Sequence, residues 1–166
     1  MQPDYAEYVA SRTRAVHRSA YLLCGDRHRA DDLVQATFVS LFVHWRRARR
    51  ADNLDAYVHR ILVRRYLDEQ RLSWSRVRLM WATPEPAAAG SGPSHDRDLV
   101  VDALRQLPKG QRTVLVLRYF SDLSVDETAD AMGCSTGTVK SQTARALAAM
   151  RRVLPREAMV GNDDSE

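Results

Sequence analysis

The chain has 166 residues, 45% of them apolar and 28% charged, with a formal net charge of +4 and a pI near 9.4. At least one packed core is therefore expected, and the modest basic excess permits a nucleic-acid partner. Cys24 and Cys134 stand in neither a metal-ligand nor a disulfide spacing, no basic-then-apolar leader opens the sequence, and no apolar run is long enough to cross a bilayer, so a cytoplasmic protein with reduced thiols is expected.

A helical period dominates, and no segment shows convincing strand alternation. The first helix is expected from about Asp4 to Leu23, with Tyr5, Val9, Arg12, Val16, Ala20 and Leu23 on one stripe and Gly25 as its cap. A second runs from about Arg29 to Arg46, its inner stripe being Ala30, Leu33, Val34, Thr37, Phe38, Leu41, Phe42 and Trp45. Two acids, Asp31 and Asp32, sit in its first turn, where they suit the helix dipole. Then comes Arg46-Arg47-Ala48-Arg49-Arg50, four cations in five residues. They repel one another unless solvated or paired with an anion, and a phosphate backbone is the obvious anion. Asn53 is a good N-cap for a third helix, to about Trp74, with Leu54, Tyr57, Val58, Ile61 and Leu62 on one face and Arg60, Arg64 and Arg71 opposite. Tyr66 and Trp74 lie near these arginines, and they and Trp45, which continues the stripe of the second helix, read better as core than as base-stacking platforms.

From Thr83 to Ser94 the sequence reads TPEPAAAGSGPS, which buries too little surface to order itself and is read as a linker. The chain thus divides into residues 1–80, a linker at 81–94, a second helical domain at 95–155 and a frayed acidic tail at 156–166. The second domain is expected to begin after a cap at Ser94, with a helix carrying Leu99, Ala103, Leu104 and Leu107. Another starts at Pro108 and runs to about Phe120.

Ser124-Val125-Asp126-Glu127 is a capping box that starts a short helix. Ala129 is small where a second helix must cross, Gly133 permits the turn, Ser135 caps the second helix, and Val139 plugs the contact between the two. That spacing is a helix-turn-helix. The outer face of the second helix then carries Thr136, Thr138, Lys140, Ser141 and Arg145, short hydroxyls and two cations that suit bases and phosphates. Gln142 stands where a second inward apolar residue is common, so the inner face is expected to rotate towards Thr143 and Ala146.

His17, His28, His44, His59 and His95 are scattered, and no zinc-protease pair, phosphate-cradling glycine loop or nucleophile elbow is present. No catalysis, cofactor or metal is expected. A helix-turn-helix repressor or response-regulator output module is the rival reading, but it calls for a ligand pocket or dimer face where this chain has a basic loop and helix.

The order of segments resembles the extracytoplasmic-function sigma factors of bacterial RNA polymerase, the minimal members of the sigma-70 family. Ala30 to Trp45 resembles region 2.2, Asp55 to Arg71 regions 2.3 to 2.4, and Leu104 to Leu154 region 4 throughout. The resemblance implies an all-α protein of two small helical domains that directs promoter-specific initiation. Asp32, Gln35 and Phe38 would dock on the β′ clamp helices of core polymerase. Arg46, Arg47, Arg49, Arg50, Asn53, Arg60 and Arg64 would melt and read the minus-ten element. Thr136, Thr138, Lys140, Ser141 and Arg145 would read the minus-thirty-five element. Other implied contacts are the polymerase β flap and an anti-sigma factor, with none to the membrane. The linker from Met80 to Ser94 reaches roughly 50 Å when extended but averages about 20 Å as a coil, so the polymerase rather than the tether is expected to set the domain spacing.

Overall fold

A computed structural model describes residues 4–80 and 95–154, with side chains for 4–69 and 99–154. Among these residues there are eight α-helices and no strand, the all-α architecture expected. The linker at 81–94, the Ser94 cap, the acidic tail at 156–166, and the side chains of Arg71, Trp74 and His95 lie outside the described residues.

Short-range chemistry sets the helix ends. Helix α1 (Tyr5–Cys24) begins where the Asp4 carboxylate accepts from the Tyr5 amide, and it stops at Gly25, whose φ of 67° suits a residue without a Cβ. Helix α2 (Arg27–Val43) is capped by Asp26, which accepts from the Arg29 amide at 2.9 Å. The arginine-rich segment is partly helical: α3 (Trp45–Ala48) holds Arg46 and Arg47, and Arg49 and Arg50 follow it. Asn53 does cap α4 (Leu54–Met80), accepting from the Ala56 amide at 3.1 Å, and the helix continues past Trp74 to Met80. Helices α5 (His95–Arg105) and α6 (Lys109–Leu115) follow. The latter widens into a π-helical turn at Val116–Phe120, where the Ser121 amide reaches back to the Val116 carbonyl. Helices α7 (Val125–Met132) and α8 (Thr136–Val153) complete the fold.

In the first half, α2 packs against α1 and α4. The expected stripe of α2 is buried from Ala30 through Leu41. Two expectations fail, one at the end of α2 and one on α1. Phe42 is 65% exposed, because the helices that cover α2 run out there, and the ring of Tyr5 meets it edge-on at 5.1 Å. Arg12 is exposed, and pairs with Asp55 of α4 at 3.0 Å. Asp55 also accepts from the buried Tyr8 hydroxyl at 2.7 Å, so one carboxylate ties α1 to α4. Tyr66 is fully buried and Trp45 half-buried, both closer to core than to a stacking platform. Cys24 is buried, which pushes its thiol up to about 11, and Cys134 is half-buried; neither is in a disulfide.

The two halves, read from sequence as separate domains, meet in one continuous core. Buried residues of α1, α2 and α4 belong to the same cluster as Leu104, Val114, Val116, Leu117 and Ala129. Helix α4 packs along α7, and α1 meets the π turn. Arg112 of α6 is the main polar tie. Its guanidinium donates to the Leu23 carbonyl at the end of α1, to the Tyr66 hydroxyl, and to the Leu104, Arg105 and Leu107 carbonyls at the end of α5. It therefore satisfies acceptors that two helix C-termini leave open. Arg105 caps the same junction by donating to the Gly25 carbonyl.

Candidate nucleic-acid interface

The helix-turn-helix is built as its spacing requires. The Glu127 amide donates to Ser124 Oγ at 3.1 Å, and the Ser124 amide donates to Glu127 Oε2 at 2.9 Å, so both halves of the capping box are made. These contacts hold the Glu127 carboxyl below its ordinary range and keep it ionised near neutrality. Gly133 ends α7 at φ 67°, and the Cys134 amide then reaches the Ala129 carbonyl at 3.1 Å, closing the last turn. Ser135 Oγ accepts from the Thr138 amide and starts α8. Ala129 and Val139 are buried between the helices. On the inner face Ala146 is fully buried, while Thr143 and Gln142 are both half-buried, Gln142 lying near Gly110 of α6.

All five residues proposed to read DNA from α8 are exposed: Thr136, Thr138, Lys140, Ser141 and Arg145. Two hydroxyls are already engaged locally. Thr138 Oγ1 lies 3.0 Å from Ser135 Oγ, and Ser141 donates to the Thr138 carbonyl at 3.1 Å. Arg145 and Lys140 lie one turn and a residue apart, so the face offers two cations flanking a short polar strip, a shape that admits a phosphate backbone or base edges.

The basic edge of the first half is less uniform. Arg46, Arg47, Arg49, Arg50 and Arg64 are exposed, while Arg60 is half-buried. The side-chain amide of Asn53 is committed at both ends: Oδ1 caps α4, and Nδ2 donates to Glu127 Oε1 of the helix-turn-helix at 2.7 Å. The structure thus brings one residue of the first candidate surface against the scaffold of the second.

On α2, Asp32 and Gln35 are exposed, but Phe38 is buried at 8% exposure and its ring is part of the core. It cannot present its ring to a partner without the helix being unpacked. What shares the outer stripe with Asp32 and Gln35 is Val39, with Phe42 and Val43 a turn further on, and these three are 64%, 65% and 70% exposed. The inward phase ascribed to Phe42 hid this patch from sequence reasoning; its i, i+3, i+7, i+10 spacing from Asp32 was the available signal. Exposed apolar residues clustered on one helix face mark an interaction surface.

No helix of the described residues is long and apolar enough to cross a membrane, and no group of three metal-ligating side chains occurs among them.

Comparison with known proteins bears on what these surfaces belong to. Residues 9–76 match the family described as Sigma-70 region 2, and residues 97–150 match Sigma-70, region 4. The chain is 35% identical over 157 residues to the RNA polymerase sigma-E factor of Streptomyces coelicolor, covering 91% of this chain and 86% of that one. It is 29% identical over 150 residues to the RNA polymerase sigma factor SigV of Bacillus subtilis, covering 90% of each. Among solved structures it is similar to the sigma factor RpoE of Bartonella quintana in complex with the anti-sigma factor NepR. That match has a TM-score of 0.75 and 25% identity, over 90% of this chain and 96% of that one. With both regions matched in order and relatives aligned over most of their length, the chain belongs to the extracytoplasmic-function sigma factors of the sigma-70 family.

Proposed function

We propose that this protein is a non-catalytic initiation factor that binds core RNA polymerase in the cytoplasm and directs it to promoters carrying two recognition elements. Helix α8 reads the minus-thirty-five element through Thr136, Thr138, Lys140, Ser141 and Arg145. The edge formed by Arg46, Arg47, Arg49, Arg50, Asn53, Arg60 and Arg64 engages the minus-ten element and helps to melt it. The observation that carries this reading is the pairing, within one chain, of an exposed recognition-helix face with a separate exposed arginine edge in the two family regions.

The docking surface on core polymerase is assigned to Asp32, Gln35, Val39, Phe42 and Val43, with Phe38 supporting it from beneath. Apolar side chains rimmed by polar ones are the composition of a protein-protein contact centre. The β′ clamp helices are the occupant of this surface, and the β flap takes the second region. A protein anti-sigma partner is part of the proposal, since the RpoE protein to which this chain is similar is described in complex with one.

Run-off transcription tests the function. Core enzyme plus the purified chain is expected to start at a discrete promoter, and core enzyme alone is not. If no promoter opens while the isolated protein binds a palindrome as a dimer, the reading is wrong.

A further inference from the structure

Helix α8 carries four cations, Lys140, Arg145, Arg151 and Arg152, and no acid. All four are exposed, and no ion pair among the described residues includes any of them. At about 100° per residue they fall within about 140° of arc, so they form one stripe along the outer face of the helix. The stripe is longer than the DNA-reading strip. It starts at Lys140 and runs past Arg145 to Arg151 and Arg152 in the last turn.

The chain that follows has the opposite sign. Leu154 leaves α8 in an extended conformation, with ψ 132°. Residues 156–166 then hold Glu157, Asp163, Asp164 and Glu166 against a single cation, Arg156. Neither the packing nor the DNA and polymerase surfaces described above use these acids.

The lengths fit. At 1.5 Å per residue, Arg145 lies about 14 Å and Lys140 about 21 Å back along the helix from Leu154. The nine residues from Leu154 to Asp163 reach about 30 Å extended and average about 17 Å as a coil. The span therefore matches the distance the acids have to cover, which is where a tethered group has its highest effective concentration. A single exposed carboxylate–guanidinium pair is weak. Several pairs on one short tether, at millimolar effective concentration, rival the weak phosphate contacts of a lone DNA-binding module.

We propose that the acidic segment from Glu157 to Glu166 docks on the basic stripe of α8 and competes there with the DNA phosphate backbone. This rests on the assignment of α8 to DNA. The competition lowers the affinity of α8 for every duplex by the same factor. Weakly held sites are emptied by it, while sites bound well above saturation stay occupied.

Two measurements on the full-length chain test this. The first is zero-length carbodiimide coupling, which joins a carboxylate to a lysine amine. Lys109 and Lys140 are the only lysines of the sequence, so the product reports where the acids lie. Peptide mass mapping of the monomer is expected to find Asp163, Asp164 or Glu166 joined to Lys140. Absence of that link, or its restriction to cross-linked pairs of chains, overturns the docking. The second is fluorescence anisotropy of a labelled duplex of about 20 base pairs and arbitrary sequence. Asp163→Asn/Asp164→Asn/Glu166→Gln is expected to bind it about fivefold more tightly than the wild type at about 50 mM salt, with the advantage gone by about 0.3 M. Glu7→Gln/Asp68→Asn/Glu69→Gln makes the same change in net charge at exposed acids of the first half, and is expected to stay within about twofold of the wild type. Equal gains in the two triple variants trace the effect to bulk charge and overturn the competition, as does no gain in either. If no form of the chain binds duplex, the DNA reading of α8 fails and the competition with it, while the Lys140 link still decides the docking.

Discussion

The helix-turn-helix and the basic edge of the first half are both candidate DNA surfaces, yet they are made differently. The former is assembled from neighbours in sequence. The bonds of its caps and turn join residues three to five apart: Ser124 with Glu127, Cys134 with Ala129, Ser135 with Thr138. The basic edge depends on distant partners. Asn53 reaches Glu127 across 74 positions, and the buried face of α4 includes Tyr66, held by Arg112 across 46. A surface made by local rules presents its reading residues whatever the rest of the chain does. One made by long-range packing can be altered by moving another part of the protein.

Removing long-range ties should therefore do the most damage to stability. Arg112→Ala strips five acceptors of their donor at once. It is expected to lower unfolding stability by about 3–5 kcal/mol in urea titrations. Arg112→Lys should not restore it, since an ammonium cannot reproduce the planar fork. If Arg112→Ala unfolds like the wild type, the junction is not the structural centre we describe.

Phe38 and Phe42 sharpen the contrast within a single helix. Phe38→Ala, at a buried site, is expected to cost about 3–4 kcal/mol of stability. Phe42→Ala is expected to leave stability within about 0.5 kcal/mol and instead weaken binding to core polymerase by about tenfold or more, measured by competition with a labelled sigma factor. Equal stability losses would return Phe42 to the core.

On the local side, Lys140→Ala/Arg145→Ala is expected to spare folding and core binding while reducing minus-thirty-five affinity. If each cation neutralises one phosphate, the slope of log K against log salt falls by about 2. Loss of core binding instead would contradict the division of labour between the regions. Gly133→Ala meets no neighbour within 4 Å, so only the φ of 67° opposes it, and a loss of about 1 kcal/mol is expected. The same change at Gly25 is different, because a Cβ there would run into the Arg105 guanidinium and disturb the junction as well.

The smallest expected effect is on pH dependence. His59 is buried, its Nδ1 donates to the Asp55 carbonyl, and its Nε2 faces Ser19 at 3.1 Å. Burial pushes its pKa below the ordinary 6.5, with the Arg12 charge acting the same way and Asp55 opposing. Above 6.5 both folded and unfolded chains hold a neutral ring. Below it the unfolded chain takes up a proton that the folded one refuses, so stability falls on acidification until the folded pKa is reached. Thermal unfolding at about pH 5.5 and 7.5 should show this loss, and His59→Gln should reduce it relative to the wild type. An unchanged difference in the variant assigns the effect to other groups.

Most of the helices and the helix-turn-helix were legible in the sequence, because they depend on spacings of at most a few residues: Asn53, Ser124 and Ser135 act within one turn of themselves, and Gly25 and Gly133 end helices through their own backbone freedom. The Asp26 cap, the break after Val43 and the π turn were not expected. Only the tertiary structure decided that Phe38 is core while Phe42 is surface. The two share a helical phase, and what separates them is where the covering helices end. The same holds for the junction between the regions. A linker composition predicts a tether, but whether the tethered parts meet is set by complementary surfaces and by acceptors such as the Leu23 carbonyl and the Tyr66 hydroxyl, which find their donor in Arg112 far along the chain.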